Sequence, residues 1–107
     1  MRVLIDSCLP VEIKEHFQFP LAKTAREMGW QNKKNGELLA AAAAQRFDVL
    51  ITMDKNIPNQ QFLSRFASAV LIVRARSNRL ADLLPLVPSI IRMVSLVQKG
   101  HAAVVSS

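Results

Sequence analysis

Cysteine occurs once in the 107 residues, at Cys8, so the chain can form no intramolecular disulfide. Only His16 and His101 accompany it, and neither gives the clustered Cys/His spacing of a zinc site. Thiol chemistry and structural zinc are therefore not expected. No run of about 18 uncharged apolar residues occurs, so no transmembrane helix is predicted. The opening "MRVLIDSCLP" meets Asp6 too early for the apolar region of a signal peptide, and the expectation is a cytoplasmic protein without membrane partners. Acidic and basic tails, internal repeats and linkers are also missing, so residues 1–107 read as a single domain.

What is present is apolar and basic. Half of the residues are hydrophobic and 21% are charged, enough for a domain of this length to bury about 65% of its unfolded surface. The net charge of +6 favours polyanionic partners and says nothing about fold. Short aliphatic runs alternate with helix-period segments, the pattern of βα units around a mostly parallel sheet. "RVLI", "PLAKTA", "DVLIT", "SAVLIVRA" and "HAAVVSS" are the strand candidates, of which "PLAKTA" has the weakest apolar content. Leu9, Ile13 and Phe17 recur every four residues, as on one helix face. Asn35 stands as the cap of a helix through "GELLAAAAAQRF", whose five alanines carry the highest helix propensity available. A short helix is predicted at "NQQFLSRFA", and Pro85 and Pro88 should kink or split the long segment "NRLADLLPLVPSIIRMVSLVQK". Trp30, Phe62 and Phe66 read as packing residues, as does Cys8.

In such sheets ligands bind beyond the carboxyl ends of the strands. Asp6 follows "VLI" directly and Asp54 follows "VLIT" by one residue, so both acids leave their strands at that edge. Glu37, in the first turn of the alanine-rich helix, is the third candidate acid; alone it would read as a helix-dipole partner. Three carboxylates about 5 Å apart would repel by roughly 3 kcal/mol per pair at an effective dielectric of about 20, so such a cluster needs a proton or a cation. Hard divalent ions, Mg²⁺ or Mn²⁺, suit an oxygen-only set and retain waters able to attack a phosphodiester. Arg74, Arg76 and Arg79 follow the fourth strand on the same edge, and Lys33 and Lys34 precede the Glu37 helix; all five are candidates for phosphate contacts to RNA.

The blocks "MRVLIDSCLP", "REMGW", "KKNGELLAAA", "FDVLITMDKNIPNQQ" and "RARSNRLADLLPLVP" together resemble those of a family of small prokaryotic PIN-like proteins, related to the PIN-domain ribonucleases of toxin–antitoxin pairs. The resemblance covers nearly the whole chain. It implies a PIN-like three-layer α/β/α sandwich with an acidic Mg²⁺ or Mn²⁺ site, ribonuclease activity, and an antitoxin protein that restrains it. It puts Asp6, Glu37 and Asp54 into the metal and catalytic site, with Asn35, Thr52 and Asn56 as hydrogen-bonding neighbours. Two departures stand out: Ser7 replaces a Glu common in the first block, and Asn35 stands where relatives often carry Asp. Fewer carboxylates mean weaker metal binding, so the alternative is a catalytically weak nucleic-acid- or protein-binding module. "DVLITMDKNIP" also resembles the phospho-acceptor strand of receiver domains, but the adjacent acid pair after the first strand and the Lys after the fifth are both missing.

Overall fold

The computed structural model describes residues 1–56 and 59–107, apart from the side chains of Asn35 and Gln60. Five strands form one sheet: β1 (Arg2–Ile5), β2 (Leu21–Thr24), β3 (Val49–Thr52), β4 (Ala69–Arg74) and β5 (Ala102–Ser106). Their order is β2-β1-β3-β4-β5, and every neighbouring pair is parallel, so "mostly parallel" becomes entirely parallel. Parallel strands are covered on both faces, which explains why β3 reads as an uninterrupted buried run, "VLIT".

The helices divide between the two faces, giving a three-layer α/β sandwich. On one face α1 (Ile13–Phe17), α4 (Leu80–Leu83) and α5 (Val87–Val94) bury Ile13, Phe17, Leu83, Ile90 and Val94 against Val3, Ile5, Ile51, Leu71 and Val73. On the other, α2 (Asn35–Ala44) and α3 (Gln60–Leu63) bury Leu38, Leu39, Ala42 and Leu63 against Leu4, Leu50, Val70 and Ile72. Trp30 sets its ring edge-on to Phe47 at 6.1 Å, and Phe62 and Phe66 pack against the same core, as the sequence suggested. Pro85 and Pro88 split the last helical segment: α4 ends at Leu83, a 3₁₀ turn spans Leu84–Leu86, and α5 begins at Val87.

Two expectations need correction. The capping position of α2 is Lys34, with extended backbone and no side-chain cap, and Asn35 is the first helical residue. Alanine propensity carries the helix without a cap. At its far end the helix stops at Ala44 and does not run on through Phe47, because the chain turns at Arg46, whose φ of 62° lies in the left-handed region, before it reaches β3. Gly100 answers a sharper demand: its φ is +80°, and a Cβ there would meet the Cα of Ser64 at 3.3 Å.

The chain passes from β1 to β2 over the α1 face, then to β3 and on to β4 over the α2–α3 face. It moves on to β5 in the same direction but over the α1 face, so the β4–β5 crossover has the opposite hand to the other three. Crossovers in parallel sheets are almost all of the right hand, which makes this one unusual. Its consequence is local: the loop after β4 returns toward the turn after β1, where Asn78 Nδ2 donates to the Cys8 carbonyl at 3.2 Å.

Candidate functional site

With this strand order, connections leave β1 and β3 in opposite directions, and the gap between their carboxyl ends is where ligands bind in open α/β sheets. A groove of about 510 Å³ lies there, lined by residues of three loops: Asp6, Ser7 and Cys8; Gln31, Lys33 and Lys34; Met53, Asp54 and Asn56.

One buried hydroxyl joins the two aspartates. Thr52, 1% exposed at the end of β3, donates its Oγ1 hydrogen to Asp6 Oδ2 at 2.7 Å and accepts the Asp54 amide at 3.0 Å. Asp6 is fixed further: Oδ1 accepts the Ser7 amide at 2.7 Å, and the Asp6 amide donates to the Ile51 carbonyl at 2.9 Å. Asp54 Oδ1 accepts the Asn56 amide at 2.8 Å, an Asx turn. Asn56 thus acts through its backbone amide and is one of the residues lining the groove.

Cys8 is a structural thiol of the site. Its Sγ accepts the Met53 amide at 3.3 Å, lies 3.5 Å from Asp6 Oδ2, to which it donates, and 3.8 Å from Thr52 Oγ1. Burial pushes the thiol up to about 11, the Asp6 charge adds to the shift, and the Met53 amide opposes it. The side chain therefore stays protonated at neutral pH, as a nucleophile or soft-metal ligand would not. Sequence reasoning gave Cys8 only a packing role, which it also has; its hydrogen bonds depend on the meeting of β1 and β3 and leave no one-dimensional signal.

The candidate residues separate into those the fold assembles and those it does not. Asp6, Asp54, Thr52, Asn56, Lys33 and Lys34 meet at the groove. Glu37 is exposed in the first turn of α2 and is not among the groove's lining residues. Among the described residues no three His, Cys, Asp or Glu side chains stand close enough to hold a metal ion. Arg74, Arg76 and Arg79 are exposed and are not among the groove's lining residues. The side chain of Asn35 lies outside the described residues. Gln31 and Ser7 were not anticipated; Ser7 Oγ donates to the Gln31 carbonyl at 3.4 Å, linking two of the three loops.

Two carboxylates with no nitrogen or thiolate ligand beside them fit a hard divalent ion of the kind that keeps several waters and is held by one or two carboxylates plus substrate phosphate. They do not form a closed three-carboxylate cage. Compared with protein-family models, curated proteins and solved structures, the chain matches none.

Proposed function

We propose that the groove binds a divalent cation and a phosphodiester together, and that the protein is a metal-dependent ribonuclease. The observation that carries this reading is the meeting of Asp6 and Asp54 with Lys33 and Lys34 in one groove at the β1/β3 gap. Asp6 and Asp54 would hold Mg²⁺ or Mn²⁺, which when bound supplies Lewis-acid stabilisation of phosphate charge and a water of lowered pKa. Lys33 and Lys34 draw phosphates of a single strand to the rim, and the +6 net charge strengthens that attraction at low salt. Thr52 and Cys8 hold Asp6 in one orientation, so the site needs little reorganisation when a ligand arrives. A toxin role, with an antitoxin covering the groove, rests on the resemblance to small prokaryotic PIN-like proteins.

A second reading, a binding module without turnover, is favoured by one observation. Asp6 Oδ2 already accepts Thr52 and Cys8, Oδ1 accepts Ser7, and Glu37 contributes nothing to the groove. One experiment separates the two: incubation of single-stranded RNA with purified protein and Mn²⁺, read by gel and by fluorescence anisotropy. The ribonuclease reading expects cleavage that stops on chelation and is lost in Asp54→Asn. RNA binding without cleavage, weakened several-fold by Lys33→Glu with Lys34→Glu, would establish the binding module instead. Neither binding nor cleavage would remove RNA from this groove.

A further inference from the structure

The sheet's two edge strands differ in how they are guarded. β2 is preceded by Pro20 and carries the exposed Lys23, two of the devices that keep an edge from pairing with another chain. β5, "AAVVS", has no charge, no proline and no bulge in its register with β4.

That register fixes which of its backbone groups are free to pair. Val70 donates its amide hydrogen to the His101 carbonyl and Ser107 donates to the Arg74 carbonyl, each at 3.0 Å, across the pairs Val70↔Ala102 to Arg74↔Ser106. The odd-numbered residues of β5 therefore face β4, and the N–H and C=O groups of Ala102, Val104 and Ser106 turn outward. The same three residues share the sheet face opposite α5, where Val104 is 46% exposed, while Val105 is buried in the core beneath α5.

We propose that β5 pairs antiparallel with β5 of a second copy of this chain, about a two-fold axis through Val104. In that register Val104 opposes its own counterpart and Ala102 opposes Ser106 of the other copy. Every outward N–H and C=O of the three residues then has a partner in both copies. A strand whose free groups are symmetric about its central residue is self-complementary, as an isologous contact requires. β5 itself carries no charged side chain, so the pairing sets no like charges directly opposite one another. The two-fold would set the two grooves at opposite ends of a ten-stranded sheet and cover neither.

Sedimentation equilibrium of the full chain from micromolar to millimolar concentration tests the association, and cysteine cross-linking tests its register. The proposal expects a reversible dimer that Val104→Lys converts to monomer while far-UV circular dichroism is unchanged. It also expects that Val104→Cys oxidises to a covalent dimer, because directly opposed hydrogen-bonded residues lie about 5.5 Å apart at Cα, within disulfide reach. Ala102→Cys alone should not cross-link, whereas Ala102→Cys combined with Ser106→Cys should. Should Val104→Lys fail to fold, the cross-linking pattern decides. A chain monomeric throughout, a dimer that survives Val104→Lys in the folded protein, or Ala102→Cys cross-linking as readily as Val104→Cys would each overturn the proposal.

Discussion

Thr52 is the residue on which the site turns. Its hydroxyl is buried, donates to Asp6 and accepts the Asp54 amide, so it sets the relation between the two carboxylates. Thr52→Val keeps the shape and leaves that amide and a carboxylate oxygen short of a partner. The expected cost is about 1–3 kcal/mol in urea unfolding, with Thr52→Ser losing clearly less. A Thr52→Val chain as stable as the wild type would show that water replaces the hydroxyl at no cost. At this scale the sequence was informative about position: that Asp6 and Asp54 leave β1 and β3 at the same sheet edge was legible from the strand runs, whereas Thr52 entered only through the family resemblance. Glu37 was not legible, because its spacing from Lys34 fixes its turn of the helix but not the direction in which that helix meets the sheet. Asp48 makes the same point from the opposite end of β3. It accepts the Arg2 amide at 2.7 Å and pairs with Lys99 at 3.2 Å, and its pKa is lowered, first by that amide and then by Lys99. The two acids around "VLIT" thus differ in role through which strand end they occupy.

Among the elements, the turn after β2 carries its own signature. Thr24 Oγ1 accepts the Glu27 amide at 3.1 Å and Glu27 Oε1 accepts the Thr24 amide at 3.0 Å, the reciprocal capping-box exchange. Lys14 of α1 reaches the same oxygen at 2.9 Å, so one carboxylate joins α1 to the exit of β2. The Lys14 ammonium, then the Thr24 amide, hold Glu27 at about 2, below its ordinary 4.5. A folded-state pKa below the unfolded one gives stability that is present above about pH 4.5 and is lost as pH falls toward 2. Glu27 is exposed, so solvent screening keeps the contribution small. Glu27→Gln should flatten the fall in melting temperature across that acid window and change little at neutral pH; an unaltered acid limb would place the acid sensitivity elsewhere. All five strands and the proline split were legible from apolar runs and breakers. The start of α2 was not, because Lys34 occupies the cap position without making a capping bond. Nor was the face of the last crossover, since the apolar stripe of α4 and α5 would fit either side of the sheet.

For the molecule as a whole, strand order and charge together define the account. The order β2-β1-β3-β4-β5 opens a groove between β1 and β3, the loop after β4 returns to the Cys8 turn beside it, and lysines from the loop before α2 form its basic rim. The central claim is that a divalent ion binds through Asp6 and Asp54 without Glu37. Calorimetric titration of Mn²⁺ into the wild type, Asp6→Asn, Asp54→Asn and Glu37→Gln tests it directly. The account predicts that each asparagine variant loses about tenfold or more in affinity, equivalent to about 1.4 kcal/mol, while Glu37→Gln stays within about twofold of the wild type. Equal losses at all three positions, or four chains that bind Mn²⁺ alike, would contradict it.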